Sequence, residues 1–199
     1  MKRIILASNS PRRKEILQSL GVRFSTVASH FDESTVQNPD PVQRCILTAR
    51  GKANALLQTG RSTMKNAFII AADTLVYKGA VCFGKPQSIS EAEAMLLSYS
   101  GTYHKVITAV CCVDFSCRKE YEKTNISTVV FKKFSPHEIA DYLKTGEWQD
   151  AAGGYKIQGK ASLFIEKING SYSGIMGLPV SELYEIFKEV GIPVLKDSG

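Results

Sequence analysis

No uninterrupted apolar run in this 199-residue chain approaches the roughly 18 residues of a membrane span, and no lipidation signal stands at either end. The opening Met1-Lys2-Arg3 leads into Ile4-Ile5-Leu6-Ala7, an apolar stretch of four residues where a secretory leader needs about seven to fifteen. That stretch reads instead as a first strand, and a soluble protein is expected. Cysteine is ill-suited to a disulfide framework: Cys45, Cys82, Cys111, Cys112 and Cys117 are an odd set, and neighbours such as Cys111 and Cys112 point to opposite faces of a strand. Free thiols in a reducing cytoplasm follow. N-x-S matches at Asn125 and Asn169 would matter only in a secreted protein.

Histidine is sparse. His30, His104 and His137 stand far apart without metal-ligand spacing, and Cys112-x4-Cys117 lacks a second ligand pair, which argues against zinc. A Cys-His nucleophile is not excluded by spacing alone, although buried structural cysteine is the more frequent role for thiols in apolar runs such as 110–113. There is no internal repeat, low-complexity tract or linker.

What is present is ordinary globular composition, 44% hydrophobic and 22% charged, with a formal charge of +6 that favours anionic partners. The candidates are nucleic acid, a membrane surface or a small phosphorylated ligand, against a merely solvated basic surface. Apolar β-branched runs alternate with helical patterns, so one α/β body of mixed α+β type is expected, with two lobes around a cleft. A strand at 3–7 is followed by Ser10 as N-cap, Pro11 at the first helical position and a stop at Gly21. A second helix begins at Asp40-Pro41, carries Val42, Ile46, Ala49, Ala53 and Leu56 on one face, and ends before Gly60. Strands are predicted at 24–28, 68–77, 104–114, 121–131 and 163–168. Helices are predicted from the capping-box signals Ser90-Glu91-Ala92-Glu93 and Ser135-Pro136-His137-Glu138, and over 180–190.

Chemistry is concentrated in a few places. Ser8-Asn9-Ser10-Pro11-Arg12-Arg13 sets hydroxyls and guanidiniums beside the free amides of a helix start, a phosphate-binding arrangement, or else a capped helix with two solvated arginines. Gly79 to Lys85 matches G-x4-G-K, but Pro86 replaces the Ser or Thr of a P-loop, so that match fails; Lys85 reaches a phosphate or lies in an ordinary turn. Asp73 interrupts the apolar run Phe68-Ile69-Ile70-Ala71-Ala72. A buried acid there is a metal ligand, a general base, or a structural Asp satisfied by backbone amides. Asp32-Glu33 supplies further carboxylates able to share a magnesium ion, or an acidic loop.

Taken together, Ser8-Asn9-Ser10-Pro11-Arg12-Arg13, Ala72-Asp73-Thr74, Gly84-Lys85-Pro86, Ser100-Gly101 with His104, Gly153-Gly154-Tyr155-Lys156-Ile157-Gln158-Gly159 and Gly177-Leu178-Pro179 resemble the Maf family, also called septum formation inhibitor proteins. The resemblance spans nearly the whole chain. It implies a single domain over 1–199 with an inosine triphosphate pyrophosphatase-like fold, a twisted mixed sheet flanked by helices. It also implies a cytoplasmic nucleoside triphosphate pyrophosphatase dependent on a divalent metal, Mg²⁺ or Mn²⁺. By this resemblance Asp73 is the proton acceptor, and Arg12, Thr74 and Gln158 govern substrate choice. Ser8, Arg13, Lys52 and Lys85 line the phosphate side, and Glu33 shares the metal.

The Asp73-Thr74 and Ile157-Gln158-Gly159 forms are similar to the branch acting on dTTP and UTP rather than on 7-methyl-GTP. The departures, Ala71 where a glycine is frequent and a high cysteine content, touch no assigned role. The expected partner is a small-molecule nucleotide, with neither nucleic acid nor membrane involved and a homodimer left open. The other reading is a nucleotide- or nucleic-acid-binding regulator of cell division without catalysis. It predicts a basic stripe with interleaved aromatics, whereas the lysines and arginines are scattered.

Overall fold

A computed structural model describes residues 2–59, 64 and 66–195. Met1 and Gly60, the expected stop of the second helix, lie outside these described residues. The strands are β1 (Arg3–Leu6), β2 (Phe24–Thr26), β3 (Ala67–Lys78), β4 (Val81–Phe83), β5 (Tyr103–Asp114), β6 (Lys119–Phe131) and β7 (Ile165–Asn169). The helices are α1 (Pro11–Ser19), α2 (Pro41–Gln58), α3 (Ile89–Tyr99), α4 (Pro136–Lys144), α5 (Tyr172–Met176) and α6 (Val180–Val190). The sheet order is β2-β1-β3-β5-β6-β7, with β4 added to β3. β1 pairs in parallel with both β2 and β3, while β3–β4 and β6–β7 are antiparallel. The mixed α/β class expected from the alternating patterns is therefore observed. Among the described residues no helix is long and apolar enough to cross a membrane.

The chain divides into two compact units, one of residues 1–73, 108–125 and 177–199, the other of 74–107 and 126–176. The first unit holds β1 and α2. Ile5 and Leu6 are buried, and Cys45, Thr48, Ala49, Lys52, Ala53 and Leu56 form the buried face of α2. That face is rotated slightly from the expected stripe: Val42 and Ile46 are half-buried, while Lys52 lies on the buried face and meets two carboxylates. The second unit has an aromatic core of Tyr99, Phe131, Phe134, Tyr142, Trp148 and Tyr155, with α3 packed on α4.

Local chemistry explains most boundaries. Ser135 caps α4 in a full capping box with Glu138. α3 starts two residues earlier than expected, because Ser88-Ile89-Ser90-Glu91 carries the same S-x-x-E signal and Ser88 Oγ accepts the Glu91 N–H at 3.2 Å. β4 closes a tight hairpin through Gly79, whose φ of 58° suits it to the turn, pairing Lys78 with Val81. The failed P-loop match thus covers a hairpin. Residues 160–164 form a 3-10 turn, so the last strand begins at Ile165. α5 escapes sequence reading because its five residues, Gly174 among them, are too short for periodicity.

Candidate active site

The parallel β1–β3 register ends at Leu6↔Ile70, and the Ala7 N–H still donates to Ile70 O at 2.7 Å. Past that point Ser8 leaves β1 and Asp73 follows on β3. Both therefore stand at the carboxyl end of a parallel pair, where α/β sheets present ligand-binding groups. Asp73 is 5% exposed and Lys52, on α2, 8%. The Lys52 ammonium donates to Asp73 Oδ1 at 2.7 Å and reaches Glu33 Oε1 at 2.9 Å. Burying a lone carboxylate costs several kcal/mol or more; the ammonium offsets that cost. Asp73 is thus held by a cation rather than by backbone amides alone. The Cys45 thiol donates to the Asp73 backbone carbonyl at 3.3 Å, tying α2 to β3 beside the same residue.

Arg13 lies on the next side of this cluster. Its Nε donates to Gly177 O at 2.7 Å and its Nη1 to Ser8 Oγ at 3.3 Å. Burial pushes the guanidinium below the ordinary arginine pKa, and the charge of Asp73 is the largest influence opposing the shift. Ser10 occupies the N-cap position of α1 but makes no side-chain cap. Its own N–H donates to Ser8 Oγ at 3.2 Å. Arg12 is half-buried on the same helix, and its charge lowers the Arg13 pKa further.

Glu33 is brought to Lys52 by a short 3-10 turn, Glu33–Thr35, closed by Asp32 accepting the Ser34 N–H at 3.0 Å. The turn is seated through Phe31, whose ring lies on the bare backbone of Gly51, the residue before Lys52. A methyl group at position 51 would overlap the ring. A mid-helix glycine costs about 1 kcal/mol relative to alanine, and this contact is its physical reason. Gly51→Ala is therefore expected to displace Phe31 and Glu33 and to lower kcat/KM by about tenfold or more, with helix content by circular dichroism unchanged. Wild-type efficiency in that variant would show that the Phe31–Gly51 contact does not seat the turn.

In the second unit two of the sequence motifs meet. The Gly153 N–H donates to Gly84 O at 2.9 Å, joining the loop that carries Gln158 to the turn that carries Lys85. Gly153 has a φ of 75°, and a Cβ there would stand 3.0–3.1 Å from Val76 and the Tyr99 hydroxyl. The loop is pinned by Tyr155, whose hydroxyl pairs with His104 Nε2 at 2.8 Å. Burial, then the charge of Lys78, holds His104 down at about 3, so it is neutral at physiological pH. Lys85 is exposed, 3.8 Å from Asp150 Oδ1; Gln158 is exposed and Thr74 half-buried. Ser8, Arg13, Glu33, Lys52 and Asp73 thus belong to one unit with Arg12, and Thr74, Lys85 and Gln158 to the other.

The profile of the Maf-like protein family matches residues 3–190. This chain belongs to that family. A Treponema denticola protein named dTTP/UTP pyrophosphatase is 55% identical over 203 residues, covering 98% of this chain and 100% of that protein. One of the same name from Chromobacterium violaceum is 43% identical over 190 residues, 95% of each. A solved structure from Mycobacterium abscessus, described as nucleoside-triphosphatase / dITP/XTP pyrophosphatase, overlaps 65% of this chain and 72% of its own with a TM-score of 0.42 and 14% identity.

Within this Maf-like chain the carboxylates do not fit a metal resident in the absence of nucleotide. Among the described residues no three of His, Cys, Asp and Glu gather at one point, and the ammonium of Lys52 already lies between Glu33 and Asp73. Sequence reasoning gave Gly51 and Phe31 no role, and Gly177 only a place in a family motif. Gly51 carried a signal of its own, a glycine inside an amphipathic helical pattern, which marks close approach.

Burial, then the charge of Asp73, pushes the Cys45 thiol of the Maf-like protein up to about 12. Burial likewise raises Cys111 and brings Cys112 to about 12. These thiols stay protonated near neutral pH, where the thiolate is the reactive form. Maleimide at pH 7 is expected to label exposed Cys117 first and to leave turnover intact, and replacing all five cysteines by Ser or Ala should preserve turnover in the folded fraction. A selective loss of turnover without unfolding would revive a thiol mechanism.

Proposed function

We propose that this Maf-like protein hydrolyses dTTP and UTP between the α and β phosphates, releasing the nucleoside monophosphate and pyrophosphate. The reading is supported by near full-length identity to relatives bearing that name. The observation that carries it in the molecule is the buried Asp73, ion-paired by Lys52 at the carboxyl end of the β1–β3 pair.

In this reading Lys52 holds the Asp73 carboxylate in place through Oδ1 until substrate binds, and Asp73 takes a proton from the attacking water as the new P–O bond forms. The bridging P–O bond breaks and pyrophosphate leaves. Arg12, Arg13 and Lys85 neutralise the charge that accumulates on phosphate oxygens, and the Ser8 hydroxyl offers a hydrogen bond. Thr74 and Gln158 select the base. A divalent cation, Mg²⁺ or Mn²⁺, would supply further charge neutralisation when bound, with Glu33 facing it. The substrate is a free nucleotide, and the setting proposed is the cytoplasm.

The test is pyrophosphate release from dTTP, UTP, CTP, GTP, ATP and 7-methyl-GTP, with and without Mg²⁺ or Mn²⁺. Release from dTTP and UTP above the purines is expected. No release from any nucleotide would favour the non-catalytic regulator instead.

A further inference from the structure

We infer that Lys52 keeps the Glu33–Asp73 pair closed to a free divalent cation, so that metal enters this site only together with the triphosphate. An ammonium at 2.7 Å from Asp73 Oδ1 and 2.9 Å from Glu33 Oε1 takes the position that a cation bridging the two carboxylates would occupy. A metal there needs oxygens at about 2.0–2.1 Å for Mg²⁺ and a nearly complete octahedron, and it would meet a like charge within contact distance. Lys52 cannot simply swing into water. It is 8% exposed, on the buried face of α2, and leaving would strand a 5% exposed Asp73.

A triphosphate changes both sides of the balance. Its oxygens give Lys52 another anionic partner, and the same oxygens complete the coordination shell that two protein carboxylates leave short. Magnesium is commonly bound in this way, by one or two carboxylates plus substrate phosphates. Lys52 therefore sets an order of binding, nucleotide with metal or before it, and stands in as the counter-ion between turnovers. The inference deepens the proposed pyrophosphatase reading and rests on it only for the choice of nucleotide.

The measurement is Mn²⁺ binding by the full chain, followed without nucleotide from loss of the free-ion EPR signal and, because a triphosphate chelates Mn²⁺ by itself, with nucleotide from Mn²⁺ retained with the protein on ultrafiltration. Wild type with Mn²⁺ alone is expected to bind more weakly than about 1 mM, and addition of α,β-imido-dUTP, which is not cleaved at that bond, to bring Mn²⁺ onto the protein. Lys52→Met and Lys52→Gln, each checked for folding by thermal melt, are expected to bind Mn²⁺ alone at least about tenfold tighter than wild type. Adding Glu33→Gln to either variant should remove the gain.

Tight Mn²⁺ binding by wild type without nucleotide would overturn the inference. So would folded Lys52 variants that gain nothing, or a gain that survives Glu33→Gln. Bound α,β-imido-dUTP that brings no Mn²⁺ onto the protein would overturn metal entry with the triphosphate, whereas no binding of that nucleotide at all would count against the pyrophosphatase reading. Closure to the free ion is read in the nucleotide-free arms.

Discussion

Asp73→Asn is expected to retain nucleotide binding and to lose at least about 10²-fold in kcat, the scale for removing a positioned general base. The substitution keeps the shape of a side chain that is 5% exposed and removes only its charge and its proton affinity. Lys52 then keeps Glu33, 2.9 Å away, and can still donate to the amide oxygen. Stripping a buried charge of its partner costs about 3–5 kcal/mol, and the two remaining acceptors should hold the loss of stability below that. The check is single-turnover hydrolysis of dTTP beside a thermal melt and a nucleotide-binding titration. Near-wild-type turnover in a folded Asp73→Asn protein would remove Asp73 from the role of base.

Gln158→Ala should reduce selectivity rather than stability. Gln158 is exposed without ligand, so its amide is solvated and its loss should barely move the melting temperature. Once a base covers it, the amide can both donate and accept. Leaving it unpaired against the wrong base costs about 1–3 kcal/mol, which is roughly tenfold to a hundredfold in kcat/KM. The preference for dTTP and UTP over ATP and GTP is therefore expected to fall by that factor, with the maximum rate on saturating dTTP changing less. The loop geometry supports a localised effect, because Tyr155, paired with His104 at 2.8 Å, anchors the segment independently of residue 158. An unchanged preference in Gln158→Ala would take base selection away from this residue, and a wild-type preference for any purine would remove the pyrimidine branch while leaving the chemistry in place.

Local elements were legible to different depths, for identifiable reasons. α6 matches its predicted span because strong amphipathicity over eleven residues averages out local ambiguity. α3 starts two residues before the predicted start because Ser88-x-x-Glu91 and Ser90-x-x-Glu93 offer overlapping signals and the earlier one makes the cap. The rotation of α2 is hidden in the sequence because a lysine inside an apolar face looks like an interruption until its partners, Asp73 and Glu33, are known.

The sequence by itself determined the alternation of strands and helices, the absence of metal-ligand spacing in Cys and His, and the ionisable groups carried by the family motifs. These are properties of period, capping and residue type, which act over a few neighbouring positions. Tertiary structure alone decided which charge meets which. Lys52 joins Asp73 from 21 positions away, and Arg13 reaches the Gly177 carbonyl from 164 away. Such pairings depend on where α2 crosses β3 and where the chain returns before α6. Hydrophobic period records which face of an element is buried, and it does not record which partner that face will find.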